Sequence, residues 1–312
     1  MRLLYIITAV AALAALSFGQ DDTIRVETNL VTVNVAVADR QGDHVRGLTK
    51  SDFIVLDGGV KQDIDTFAAE DAPVSFGIIY DMHPTSGEQM SGVLGALRSF
   101  AGSLRSDDDL FVTVFNEKGS LTTDFVPTDE QVQKQIEGGS NSLYDAIFDA
   151  SERIVRSRNN KRVLLVLTDG QDHSSHHSYK ELRNHLRGVN LPVYAITFGG
   201  NDASRYGYAD IFRGGPPQRF ERFETTRLDR GVLEEISKTS GGKSFETQIR
   251  QRMYLSALYD RVYDDIKRQY VIGFYPEKAD GKYHALKVSV AGQKERKLSV
   301  SSRKGYQSPR PN

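Results

Sequence analysis

Two hydrophobic periods organise the chain. Residues 163–167, Val-Leu-Leu-Val-Leu, form an unbroken apolar run between Lys161-Arg162 and Thr168-Asp169-Gly170. A short run of this kind, closed by a turn signal, predicts a buried central strand. Residues 76–80 are a second such run, ending in Asp81, and residues 110–115 and 192–198 continue the series. Between these runs the spacing becomes helical. Residues 92–104 place Val93, Leu94, Leu97, Phe100, Ala101 and Leu104 on one side. Further helices are predicted over 130–137, 143–156, 179–189 and 228–239, with a short strand at 243–246. Strands alternating with helices of these lengths predict a mostly parallel, Rossmann-like sheet covered by helices.

The two ends of the chain have period two. Across residues 24–38, Val31, Val33, Val35 and Val37 lie on one face, and Val26, Thr28, Leu30, Thr32, Asn34 and Ala36 on the other. This predicts a long strand. Short strands are predicted at 45–48, 53–56 and 63–67, with Asp57-Gly58-Gly59 as a hairpin turn. After an amphipathic helix over 253–268, strands are predicted at 270–275, 284–290 and 296–301, with Asp280-Gly281 as a hairpin turn between the first two. A small β-unit cannot bury both of its faces alone. The N- and C-terminal strands are therefore expected to pair in a small β-sandwich, with the sheet domain inserted between them. The expected organisation is a signal peptide over 1–19, N-terminal strands over 20–70, the α/β domain over 73–247, a helix with C-terminal strands over 253–306, and a tail over 307–312.

Composition narrows the functional classes. The 312 residues carry a formal net charge of -1 and contain neither Cys nor Trp. A neutral balance gives no bulk reason to expect nucleic acid or an anionic membrane surface as partner. Arg2, the apolar stretch 3–16 and Ser17-Phe18-Gly19 have the order of a cleavable export signal. The stretch is shorter than the ~20 apolar residues that span a bilayer. The expectation is an exported protein, periplasmic or extracellular, with no transmembrane segment in the mature chain and no disulfides.

Candidate chemistry gathers at strand ends. Asp81 and Asp169 each follow an apolar strand, where open α/β sheets bind their ligands. Either could instead cap a helix or shape a turn. Residues 138–146, GGSNSLYDA, form a third loop that opens a helix. Two carboxylates with hydroxyls from a third loop suit a hard divalent cation, which prefers oxygen. Asp107-Asp108-Asp109 offers three more carboxylates, but a solvated turn accounts for them.

These motifs resemble the von Willebrand factor type A domain, in particular an exported bacterial subgroup known mainly from acidobacterial genomes. The matching segments are 143–146 (LYDA) and 167–170 (LTDG), with Asp81 and Thr85 at the first and last positions of a D-x-S-x-S loop. The similarity extends to YVIGFYP, DGKYHALKV and RKGY near the C-terminus. It implies a metal-ion-dependent adhesion site built on Asp81, Thr85, Asn141 and Asp169, usually with Mg²⁺, that offers an open position to a partner's carboxylate. Here the first Ser is replaced by His83, and Asn141 stands where a Thr is expected. The implied site is degenerate.

Imidazole suits Zn²⁺ better than Mg²⁺, and His173, His176 and His177 follow Asp169 on the same edge. Three readings stand: no metal, a weak Mg²⁺ or Mn²⁺ site, or a softer ion held by His83 and a second histidine. Ser140 and Ser142 are further oxygen donors. No catalytic constellation is expected, because the chain has no G-x-S-x-G elbow, no H-E-x-x-H and no P-loop lysine. Residues 199–226, rich in Gly, Arg and aromatics, read as a long surface loop or as a partner-binding insertion. The sequence as a whole points to an exported, non-catalytic module that binds protein, or to a metal-free structural element of an envelope complex.

Overall fold

The structure, a computed structural model, describes residues 30–83, 87–136, 142–172, 175–189, 191–198, 230–247, 252–278 and 280–308. The expected export signal, residues 24–29 of the first predicted strand, Thr85, Ser140, Asn141, His173 and the loop 199–226 lie outside them.

The centre is a six-stranded sheet in the order β10-β9-β8-β5-β6-β7. Its strands are β5 (Val74–Asp81), β6 (Asp109–Asn116), β7 (Gly119–Thr123), β8 (Lys161–Thr168), β9 (Val193–Phe198) and β10 (Ser244–Thr247). All pairs are parallel except β6 with β7. Strand β5 is buried at every position and β8 at all but one, which is why both read as unbroken apolar runs rather than alternating ones. The described helices before residue 250 are α1 (Gly87–Ser103), α2 (Asp129–Gln135), α3 (Leu143–Ile154), α4 (Tyr179–Gly188) and α5 (Arg230–Ser240). Helices α3, α4 and α5 cover one face of the sheet, through Leu143, Ile147, Ile154, Leu182 and Leu233. The other face is covered by α1 and by a sixth helix, α6 (Arg252–Lys267). Leu255, Tyr259, Val262 and Ile266 of α6 pack with Leu94, Leu97 and Phe100 of α1. By its packing, α6 therefore belongs to the six-stranded sheet rather than to the strands that follow it.

The terminal strands form two antiparallel four-stranded sheets. One has the order β13-β1-β11-β4, from β13 (Ser299–Ser302), β1 (Val31–Ala38), β11 (Tyr270–Phe274) and β4 (Thr66–Ala68). The other has the order β14-β12-β2-β3, from β14 (Gly305–Gln307), β12 (Tyr283–Val290), β2 (Phe53–Asp57) and β3 (Val60–Gln62). Val31, Val33, Val35 and Val37 share one core with Phe53, Val55, Leu286 and Val288 of the facing sheet. Each sheet contains strands from both ends of the chain, as the period-two segments require.

Several local expectations change. Residues 45–48 form no strand. Gly42 and Gly47 at φ 88 and φ 73 bend the chain there, leaving one isolated bridge between Ala38 and His44. The segment 63–67 is replaced by two shorter strands, β3 and β4. Asp280-Gly281 does not join a hairpin, because both edges of β11 are taken by β1 and β4, which sends β12 to the other sheet. The strand expected over 296–301 begins at Ser299, after a turn in which Lys297 has φ 55. Asp108 is not a solvated turn residue. It is buried, accepting from Val74 N at 2.8 Å, Arg105 N at 3.1 Å and Tyr263 Oη at 2.8 Å.

The two units meet at the amino-terminal edge of the six-stranded sheet. Lys161, the first residue of β8, is 1% exposed. Its Nζ donates to Glu70 O at 2.7 Å, Lys267 O at 3.3 Å and Ala69 O at 3.5 Å. It thereby holds both covalent crossings between the units, the one after β4 and the one after α6. Beside it, the Tyr194 hydroxyl donates to Asp265, Gln269 Nε2 donates to Tyr194 Oη at 3.0 Å, and Asn34 Nδ2 of β1 donates to Gln269 Oε1 at 3.2 Å.

Candidate functional site

The opposite, carboxyl-terminal edge carries the two strand-end aspartates. Strands β5 and β8 are neighbours in register, with Tyr80 beside Leu167, so Asp81 and Asp169 leave the sheet side by side. Both are buried, Asp81 completely and Asp169 at 6% exposure. Burial of a carboxylate demands hydrogen-bond donors, and Asp81 receives them from two directions. Thr168 Oγ1 donates to Oδ2 at 2.6 Å. His83 donates to Oδ1 twice, from its backbone N at 2.9 Å and from Nδ1 at 2.8 Å. Asp169 Oδ1 accepts from Gln171 N at 3.0 Å, and the turn is completed by Gly170 at φ 86, whose N–H donates to Thr168 Oγ1 at 2.9 Å.

His83 stands between two carboxylates. Its Nε2 lies 3.4 Å from Glu117 Oε2, on the turn between β6 and β7. Its ring packs 5.9 Å from that of Phe115. The hydrogen bond to Asp81 raises the imidazole's pKa above the usual histidine value, against burial, which lowers it. The charges of Asp81, Glu117 and Asp169 add to the rise.

The other histidines serve a different carboxylate. Asp145, at the start of α3, accepts from His176 N and Nδ1, both at 2.9 Å, and from His177 N at 2.9 Å and Nδ1 at 2.7 Å. Burial pushes this carboxyl up, but the hydrogen bonds from His177 and His176 outweigh it and hold it at about 2. Ser175 and Asp172 extend the same closure: Tyr144 N donates to Ser175 Oγ at 3.1 Å and Asp145 N donates to it at 3.2 Å, while Ser175 Oγ donates to Asp172 Oδ1 at 2.6 Å. The first amides of a helix have no partners within it, and here the loop after β8 supplies them. His177 also stacks on Phe148, centroids 4.0 Å apart, and Phe148 stacks on His185 at 4.2 Å. His176 and His177 are thus built into the base of α3.

The structure therefore brings Asp81, His83 and Asp169 to one edge and ties His176 and His177 to Asp145. The resemblance implies a divalent cation at this edge. A hard cation needs oxygen lone pairs turned toward it. Both Asp81 oxygens take internal donors, and His83 presents nitrogens, each set against a carboxylate oxygen. These residues do not fit such an ion as they are arranged. Among the described residues, no group of three or more His, Asp or Glu could hold a metal ion.

Sequence reasoning missed Asp145, Thr168, Asp172 and Glu117. Asp145 had a usable signal, because Ser142-Leu-Tyr-Asp145 has the S-x-x-D spacing of a helix start. Glu117 had none, since only the β6–β7 turn brings it to His83.

Comparison with known proteins completes the picture. The family model "von Willebrand factor type A domain" matches residues 118–237. No curated protein matches the chain in sequence. Among solved structures, the chain is similar to an aerotolerance-related membrane protein from Bacteroides fragilis NCTC 9343, at 17% identity over 62% of this chain and 99% of that one, with a TM-score of 0.39. It is similar to a von Willebrand factor type A protein from Catenulispora acidiphila, at 12% identity over 89% and 72%, with a TM-score of 0.42. It is also similar to the ArnB paralog VWA2 from Sulfolobus acidocaldarius, at 9% identity over 90% and 76%, with a TM-score of 0.41. The matched stretch contains both LYDA and LTDG and begins after the loop that carries Asp81 and His83. The match to the von Willebrand factor type A domain is thus to residues 118–237 of the chain.

Proposed function

We propose that the protein is an exported, non-catalytic binding module that recognises another protein at the carboxyl-terminal edge of its six-stranded sheet. The observation that carries this reading is the pair of buried carboxylates, Asp81 and Asp169, set side by side at adjacent strand ends with His83 beside them. Burying charge is costly unless it is paired. Such groups at the ligand edge of an α/β sheet mark a site more readily than a scaffold. The von Willebrand factor type A match supports a role in protein interaction. Export rests on residues 1–19, and no helix among the described residues is long and apolar enough to cross a membrane.

The test is capture from a cell-envelope extract on the immobilised protein. A partner should be retained by the unchanged protein and lost from both Asp169→Asn and His83→Ala, with circular dichroism unaltered. Equal retention by all three would move the binding surface elsewhere.

A further inference from the structure

We propose that the terminal sandwich carries a proton-operated latch. His284, set between Asp57 and Asp280, fastens β12 and the turn before it to β2 when its imidazole is charged, and loosens them when it is neutral. The latch lies within the sandwich and is independent of the binding reading above. It is built from two segments that the carboxyl-terminal edge leaves unused, DGKYHALKV (280–288) and RKGY (303–306). The fold brings them together, because β12 pairs with both β14 and β2. His284 stands opposite Tyr306, and Leu286 opposite Asp57.

The imidazole has a carboxylate at each ring nitrogen. Nδ1 lies 3.0 and 3.1 Å from the two oxygens of Asp57, and Nε2 lies 3.0 Å from Asp280 Oδ1. An ionised carboxylate only accepts hydrogen bonds, and a neutral imidazole has a single N–H. A neutral ring therefore sets a lone pair against one of the two carboxylates. Only the imidazolium donates to both.

The two contacts tie different elements. Asp57 ends β2 and is buried, and Tyr306 Oη of β14 donates to its Oδ2 at 2.8 Å, so it is a fixed anchor. Asp280 lies on the turn before β12, with its side chain 35% exposed, and is the movable arm. Lys282 N donates to its Oδ1 at 2.9 Å. Arg303, between β13 and β14, lies 5.6 Å from the Tyr306 ring and is committed to Thr32 O at 2.9 Å. Arg187 of α4 packs on Tyr283, which alternates to the other face of β12. The charges that act on the imidazole itself are those of Asp57 and Asp280.

Burial lowers the pKa of His284, but the hydrogen bonds and charges of Asp57 and Asp280 outweigh it and raise it above the usual histidine value. A folded value above the unfolded one means that the contribution is complete below about pH 6.5 and is lost as the pH rises through the folded value. The hydrogen bonds nearest the latch are Gly58 N to Ala285 O at 2.9 Å and Ser308 N to Lys282 O at 2.8 Å. These are the bonds that loosen.

The experiment uses the full-length protein and two readouts. NMR of the ¹⁵N-labelled imidazole rings follows the titration of His284, assigned by His284→Gln. Amide exchange at pH 6 and pH 8, expressed as protection factors, follows Gly58 and Ser308. The ring should titrate above pH 6.5, and the protection of both amides should fall roughly two- to fivefold between the two pH values, the size of a partly exposed ion pair. Asp280→Asn should lower the ring's midpoint and flatten the pH response. Because Asp280 lies on a partly exposed turn, this variant keeps the test open even if His284→Gln fails to fold. A midpoint at or below 6.5, or one that Asp280→Asn leaves unmoved, would overturn the latch. So would equal protection at both pH values, or a loss spread evenly over all three sheets.

Discussion

Lys161 offers the sharpest test of how the two units are joined. Among the described residues it has no carboxylate partner; it is 1% exposed, and its Nζ donates to the carbonyls of Glu70, Lys267 and Ala69. Burial drives its pKa down, aided by the charge of Lys267 and opposed by Asp71, Glu70 and Asp108, to about 7. The unfolded chain keeps an ordinary lysine, near 10.4. The folded pKa is the lower one, so between about pH 7 and 10.4 the unfolded state holds a proton that the native state has released. Stability must then rise with pH across that window, by ~1.4 kcal/mol per unit where the difference is complete. From pH 6 to pH 9 the gain is about 3 kcal/mol. Lys161→Met removes this titration. It also leaves the Glu70 and Lys267 carbonyls without their donor, at about 1–3 kcal/mol each. The variant should therefore be clearly less stable than the parent at pH 9, and the gap should shrink by about 3 kcal/mol at pH 6. Urea denaturation of both proteins at the two pH values measures this difference directly. A gap that is the same at both would show that the amine stays charged in the native state, with the three carbonyls compensating in full for lost water, and the reasoning would fall.

Three further changes probe other parts of the structure. Asp145→Asn takes the charge out of four hydrogen bonds at the base of α3 and should cost about 2 kcal/mol, with faster amide exchange confined to the loop after β8. The carboxyl of Asp145 is held below its ordinary value, so its contribution is present above about pH 4 and is lost as the pH falls toward about 2. Gly242→Ala should cost more than Gly77→Ala in thermal melts. A Cβ at Gly242 lands on the backbone carbonyl of Val193, which cannot yield without parting β9 from β10, whereas at Gly77 it meets the Leu164 and Phe111 side chains. Overpacking of the second kind costs about 1–3 kcal/mol. Tyr194→Phe should destabilise by about 1–3 kcal/mol, since it removes one donor to Asp265 and the acceptor of Gln269.

The architecture was legible where burial made the pattern simple. Strands β5 and β8 are buried nearly throughout, so their apolar runs could mean little else. Strand β1 alternates buried and half-buried positions without exception, and its period is equally plain. Legibility failed where pairing was decided by a distant strand. Asp280-Gly281 has the residues of a hairpin turn, yet β11 had already paired on both sides. Strand β7, Gly-Ser-Leu-Thr-Thr, is an edge strand with only one residue buried, and it leaves almost no periodic trace.

The site divides in the same way. Asp81 and Asp169 could be found because their place at strand ends is a local property. The partners that decide what these carboxylates do are nonlocal: Thr168 lies 87 positions from Asp81, and His176 lies 31 from Asp145. Histidine spacing alone suggested a shared metal edge. The folded chain gives His83 and the His176-His177 pair separate carboxylates, each within hydrogen-bond distance, and these pairings could not be read from order in the sequence.

The polarity of β8 ties these observations together. Its first residue, Lys161, clamps the crossings to the sandwich, and its last, Thr168, holds the carboxylate of Asp81. Eight residues of strand separate the two ends by roughly 23 Å. The sandwich therefore joins the sheet at the amino-terminal edge through groups that are buried and bonded. The carboxyl-terminal edge is where parallel sheets place their ligand sites. On the proposed reading, Asp81, His83 and Thr168 are kept at that edge for recognition of a ligand, since replacing a buried ion pair with apolar residues is often neutral or stabilising.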